Sequence, residues 1–165
     1  MGKIVLLSGI PASGKSTHGK WLETEMGCVY WDLEHETLEE AGTRAGLYLG
    51  TNADLGSLLA VAKRISKTIV IDWGFPPDVC LNTVRWLSEN GVEIWWFDGD
   101  REAARISFLR RSPELEQALD IQMEKIVRFD TEIKDLFEDH QINSVTLGPK
   151  YLSHKKIYKT LFPEN

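Results

Sequence analysis

Gly9, Gly14, Lys15 and Ser16 stand in the spacing G-x-x-x-x-G-K-[ST], and this constrains the fold more than any other feature of the chain. The glycines let successive backbone N–H groups turn inward around a polyphosphate. A lysine in that place reaches the β- and γ-phosphates, and the hydroxyl after it can ligate Mg²⁺. Such a loop works between a buried strand and a helix whose N-terminus faces the anion. Both flanks fit: Ile4 to Leu7 is a short apolar, partly β-branched run, and His18, Trp21, Leu22, Glu25 and Met26 recur at helical spacing until Gly27. The segment from Gly9 to Thr17, with Ala12 and Ser13 inside it, is therefore read as a binding site for a nucleoside triphosphate, with Ser16 as a metal ligand.

The rest of the chain alternates strands with helices. Cys28 to Asp32 and Thr68 to Asp72 are short apolar strands that each end in a carboxylate, and strand ends are where open α/β sheets bind ligands. Four apolar or β-branched residues running into Asp72 are the pattern of a Walker-B strand, whose aspartate holds Mg²⁺ through water or Ser16. Val92 to Phe97 is the most hydrophobic strand and is expected near the centre of the sheet, and Ile142 to Leu147 is a fifth. Helices are expected between Asp54 and Ile65, with Asp54 as cap, and from Asp78 to Glu89. Others run from Arg101 to Arg111, as one long amphipathic helix over Leu115 to Leu136, and after the Gly148-Pro149-Lys150 turn. The irregular piece from Leu33 to Thr51 is a candidate acceptor-binding flap. Arg101, Arg105, Arg110 and Arg111 make a basic segment able to put cations on transferring phosphoryl oxygens, and an exposed basic helix face paired to acids is the alternative.

Composition narrows the function. A 165-residue chain is expected to form one domain, and a net charge of −6 disfavours a broad polynucleotide-binding face. Cys28 and Cys80 form no metal or redox motif and are read as reduced thiols. The four histidines show no ligand spacing, so no metal site and no histidine base is assigned. No stretch approaches the roughly 18 apolar residues of a membrane span and no signal peptide precedes the first strand, so a soluble cytoplasmic protein is expected. Trp31 and Trp73, beside the two carboxylates, are weighed as rings that stack on an acceptor against plain core residues. Trp21, Trp86, Trp95 and Trp96 are read as core.

With the phosphate loop, the two strand-end aspartates and the arginine segment, the chain resembles the small P-loop kinases. That group holds gluconate and shikimate kinases, the kinase half of polynucleotide kinase and zeta-toxin-like proteins. The resemblance covers most of the chain and implies a P-loop NTPase α/β fold: a three-layer α/β/α sandwich with a five-stranded parallel sheet in the order 2-3-1-4-5. A short lid over about residues 101–115 goes with it, in one domain over 1–165. It implies that Asp32 orients or deprotonates an acceptor hydroxyl and that Asp72 holds Mg²⁺ in its outer shell. Arg105 would lie over the base, Arg110 would reach the phosphates, and the turn from Gly148 to Lys150 would touch the adenine edge. The sequence departs from the group in its arginine spacing, because Leu109 stands four places after Arg105, and in lacking an Asp-Gly-x-Pro-Arg stretch. No Asn-Lys-x-Asp guanine signature is present either. The implied activity is transfer of the γ-phosphate of Mg-ATP to a hydroxyl of a small molecule. A zeta-toxin-like kinase of a nucleotide or nucleotide sugar, and an ATP-hydrolysing switch with a protein partner, are the alternatives. The acceptor and the oligomeric state are not legible.

Overall fold

The structure is a computed structural model and describes residues 2–33, 55–148 and 150–163. β1 (Ile4–Gly9) runs into the loop and then α1 (Lys15–Met26), β2 (Val29–Asp32), α2 (Leu55–Arg64) and β3 (Ile69–Asp72). These are followed by α3 (Pro77–Glu89), β4 (Glu93–Gly99), α4 (Arg101–Arg111), a 3₁₀ turn over Pro113–Leu115, α5 (Glu116–Arg128) and α6 (Asp130–Phe137). β5 (Gln141–Thr146), β6 (Lys150–Tyr151) and α7 (His154–Leu161) complete the order. The sheet runs β2-β3-β1-β4-β5-β6. The first five strands are mutually parallel in the expected order, and the expectation of five is corrected by a sixth, two-residue strand antiparallel to β5.

Every residue of β1 is buried, as a strand between two others and under helices on both faces must be. Its side chains alternate between two cores. Ile4 and Leu6 pack with Ile71, Trp96, Val84, Ile126 and Phe137 on the face covered by α2, α3, α5 and α6. Val5 and Leu7 pack with Tyr30, Val70, Phe97, Leu22 and Ile157 on the face covered by α1 and α7. The result is the three-layer α/β/α arrangement.

Several local expectations change. The single helix over Leu115 to Leu136 is two, broken at Phe129 (φ −104°, ψ 20°). The break leaves Ile126 on one side and Ile133 and Phe137 on the other all facing the core. Leu147 is 82% exposed and lies beyond the fifth strand rather than in it. Trp86 is exposed, not core, and Trp21 is half-buried. On α2, Leu59 and Ala62 are buried, and Ile65 just after it is partly so. The cap at Asp54 and the flap after Leu33 lie outside the described residues. Among the described residues, no helix is long and apolar enough to cross a membrane.

Candidate functional site

Residues 9–14 form a tight loop at the carboxyl ends of β1 and β4, and residues 15–17 are the first turn of α1. Gly9 has φ +144°, and a Cβ there would stand 2.1 Å from the Phe97 carbonyl oxygen of β4, so only glycine lets the two strands close at that point. Gly14, the N-cap of α1, adopts φ +89°, which turns the chain into the helix. No acidic residue stands in the first turn of α1, so nothing there opposes an anion at the helix N-terminus. Lys15 folds back over the loop. Its Nζ donates to the carbonyls of Gly9 at 3.3 Å and Ile10 at 3.1 Å, and the residue is buried. Ala12 sits at φ 56°, a left-handed conformation that costs a non-glycine residue about 1 kcal/mol.

That strained loop is braced from distant parts of the chain. Tyr151 Oη donates to the Ala12 carbonyl at 2.9 Å, and its ring stands against Gly14. Ser144 Oγ bonds the Ser13 carbonyl at 2.8 Å and that of Asp98 at 3.1 Å. The two-residue strand β6, absent from the expected sheet, is what carries Tyr151 over the loop.

Asp32 and Asp72 lie side by side in the β2–β3 register and are 5% and 3% exposed. Tyr30, two residues before Asp32 and on the same face, donates its hydroxyl proton to Asp72 Oδ2 at 2.8 Å. Burial first, and the Asp72 and Asp32 carboxylates after it, push the Tyr30 phenol well above its ordinary range. Two carboxylates and one hydroxyl beside the expected phosphates suit Mg²⁺, which takes one or two carboxylates together with water and phosphate oxygens. Room for the Tyr30 ring comes from Gly19 in α1, where a Cβ would meet its Cε2 at 2.2 Å.

Two cavities flank the loop. The smaller, about 380 Å³, is lined by Ser13, Gly14, Thr17, Ser107, Tyr151 and His154 among others. The larger, about 690 Å³, is lined by Lys15, Ser16, Lys20, Asp32, Arg111 and Gln122, with Phe108 and Leu119 as apolar wall. Arg111 lines both. It stacks its guanidinium on Phe108 at 5.7 Å and pairs with no carboxylate among the described residues.

The structure therefore brings Lys15, Ser16, Asp32 and Asp72 together with the loop glycines, and leaves other expected site residues apart. Arg105 is tied to Glu116 at 2.7 Å and Asp120 at 3.1 Å, the exposed-pair alternative, and lines neither cavity. Arg101 bonds Asp98 at 3.1 Å and Asp130 at 3.0 Å. Arg110 is exposed, and neither it, Gly148 nor Lys150 lines either cavity. Trp31 and Trp73 are core residues at 5% and 6% exposure, the plain-core alternative, and neither lines either cavity. The residues that sequence reasoning missed are Tyr30, Ser144, Tyr151 and the His18–His154 pair. Only Arg111 carried a signal, as the last cation of the basic segment.

His18 and His154, far apart in the sequence, meet in the fold. Their Nδ1 atoms are 3.1 Å apart, their rings stack at 5.4 Å, and Trp21 stacks on His154 at 5.2 Å. His18 is 1% exposed, and its Nε2 has no hydrogen-bond partner among the described residues. A second N–H on that ring would be buried without an acceptor, so burial first, and His154 second, lower its pKa to about 4. No group of three or more metal-ligating His, Cys, Asp or Glu occurs among the described residues.

The sheet order, with the loop after the strand in third position and carboxylates at the ends of the two strands on one side of it, is the fold of the small P-loop kinases. Solved structures share it. A gluconokinase from Sinorhizobium meliloti 1021 superposes with a TM-score of 0.54 at 15% identity, over 95% of this chain and 87% of that one. A shikimate kinase from Bacteroides thetaiotaomicron gives a TM-score of 0.63 at 14% identity, over 96% and 98%. A deoxyadenosine kinase from M. mycoides with bound dATP gives 0.52 at 15%, over 96% of each chain. These likenesses establish the fold. No protein-family model matches the sequence, and no curated protein does.

Proposed function

We propose that the chain is a phosphotransferase that moves the γ-phosphoryl group of Mg-ATP to a hydroxyl of a small-molecule acceptor in the cytoplasm. The observation that carries this reading is the pair of cavities meeting at the phosphate loop. One runs along Gly14 and Thr17 toward α7, and the other holds Asp32 beside Lys15 and Ser16. A switch that only hydrolyses ATP has no need of the second cavity.

The nucleoside occupies the smaller cavity and the triphosphate lies along residues 9–17, with the α1 N-terminus and Lys15 facing its charge. Asp32 takes the proton of the acceptor hydroxyl as the new oxygen–phosphorus bond forms. The bond between the γ-phosphorus and the β–γ bridging oxygen breaks in line, and ADP leaves. A base within hydrogen-bond reach of the attacking hydroxyl is worth about 10²–10⁴ in rate. Arg111, at the junction of the cavities, neutralises charge on the moving phosphoryl oxygens. Ser16 and Asp72 would hold Mg²⁺, which would supply charge neutralisation on the phosphates. A volume of about 690 Å³, with Lys20 and Gln122 on its wall, keeps a nucleotide or nucleotide sugar among the acceptors to be tested.

The test is ADP release from Mg-ATP, with and without pools of sugars, sugar acids, nucleosides and nucleotides. Release stimulated by one pool, and reduced at least about a hundredfold by Asp32→Asn with nucleotide binding retained, is the expected result. Slow release indifferent to every pool would replace the kinase with the switch, and full transfer by Asp32→Asn would remove Asp32 as the base.

A further inference from the structure

We propose that Ser144 and Tyr151 are positioning residues for a nucleoside polyphosphate, acting through the backbone of the phosphate loop; this rests on the phosphotransferase reading. Two successive loop carbonyls are held by their hydroxyls. Tyr151 Oη donates to Ala12 at 2.9 Å, and Ser144 Oγ donates to Ser13 at 2.8 Å. Both side chains come from one edge of the sheet, where β5 meets β6.

A β-bulge puts Ser144 in place. Asp98 of β4 faces Asn143 and Gly99 faces Val145, so Ser144 is the extra residue of β5, and such a bulge re-aims a side chain. The alternation of burial breaks at the same point, where Ser144 and Val145 are both buried between exposed Asn143 and Thr146. Gly99 admits the arrangement, because a Cβ there would stand 2.2 Å from the Val145 carbonyl oxygen. The Ser144 carbonyl accepts from the Leu152 N–H at 2.9 Å, and Tyr151 pairs with Val145. Bulge and β6 thus form one unit that carries both hydroxyls.

Holding the two carbonyls fixes two N–H groups. In a trans peptide the carbonyl and the N–H that follows it point to opposite sides. With the Ala12 carbonyl on Tyr151, the Ser13 N–H is turned to the Ile10 carbonyl at 3.3 Å, which closes the turn. With the Ser13 carbonyl on Ser144, the Gly14 N–H faces away from that hydroxyl and meets no acceptor among the described residues. It stands next to the N–H groups that open α1 and is left for an anion. Ala12, held at φ 56°, gives a released loop reason to turn, and a turned peptide presents its carbonyl oxygen to the phosphates instead.

The experiment compares wild type with Tyr151→Phe and Ser144→Ala, each of which removes one hydroxyl. Calorimetry measures the affinity of each folded protein for ADP and for inorganic tripolyphosphate. Tripolyphosphate reports on the loop without a nucleoside, which matters because both residues also line the smaller cavity. Each variant should weaken both ligands by the same factor, about two- to tenfold, the worth of one hydrogen bond. Wild-type affinities in both variants overturn the proposal, and a loss in one variant alone removes the other residue from it. A loss confined to ADP overturns it as well, since the side chains then act on the nucleoside directly. So does a lowered urea midpoint with wild-type affinity, the mark of a merely structural brace. Should Ser144→Ala fail to fold, Tyr151→Phe, at a residue 45% exposed, decides by the same criteria. Wild type that binds ADP and no tripolyphosphate overturns the proposal alone. Wild type that binds no ADP fails the phosphotransferase reading, and the proposal falls with it.

Discussion

Lowering the pH should destabilise this protein through His18 in a way that one substitution removes. The imidazole has a pKa of about 4 in the fold against an ordinary value of 6.5. Between those values the unfolded chain binds the proton and the folded chain does not, so stability is full above about 6.5 and falls as the pH drops toward 4. One pKa unit is worth 1.36 kcal/mol, which makes the whole contribution about 3 kcal/mol, of which about 2 kcal/mol is gone by pH 5. The physical source is the buried Nε2, which gains an N–H with no acceptor among the described residues when the ring is charged. Urea unfolding at pH 8 and pH 5 measures the loss, and His18→Met, which fills the site with a flexible apolar chain, supplies the reference for every other titrating group. Wild type should lose about 2 kcal/mol more than His18→Met over that interval. Equal losses in the two proteins would refute the assignment of a depressed pKa to His18.

Two further outcomes follow from the geometry of the loop. Gly19→Ala gains about 1 kcal/mol of helix propensity but drives a methyl into the Tyr30 ring, a clash of the kind that costs about 1–3 kcal/mol, so a net loss is expected in the urea midpoint. A stabilised variant would mean that the ring yields freely. Arg111→Ala should lower the rate of acceptor-dependent ADP release by about 10²-fold or more, whereas Arg105→Ala, whose partners Glu116 and Asp120 are more than half exposed, should change it little. A larger effect at Arg105 would return the phosphate-facing role to the middle of α4.

The phosphate loop and the individual strands were legible in the chain because their causes are local, whereas the strand order was expected from the resemblance alone. A glycine at position 9, another at 14 and Lys15 with Ser16 specify a backbone path within a few residues, and buried parallel strands announce themselves as short apolar runs ending in Asp32 and Asp72. The break at Phe129 was not legible, since the apolar spacing of Leu119, Met123, Ile126, Phe129, Ile133 and Leu136 is continuous across it. Nor was β6, where two polar-looking residues become a strand because the edge of β5 has backbone groups to pair.

What decides the chemistry around the loop came from contacts between residues far apart in the chain. Tyr30 reaches Asp72 across 42 residues, Ser144 reaches Ser13 across 131, His154 reaches His18 across 136, and Tyr151 reaches Ala12 across 139. No periodicity or spacing encodes such pairs, because each depends on which strand ends up beside which. The arginines make the same point. Four cations in eleven residues are equivalent as sequence, yet the pitch of α4 sends Arg101 and Arg105 to carboxylates and turns Arg111 into both cavities. The chain alone determines that a polyphosphate can be held at residues 9–17, through backbone geometry that glycine and lysine impose locally. Only the folded sheet, by packing β2, β3, β5 and β6 around that loop, decides which side chains stand beside it and brace its strained turn.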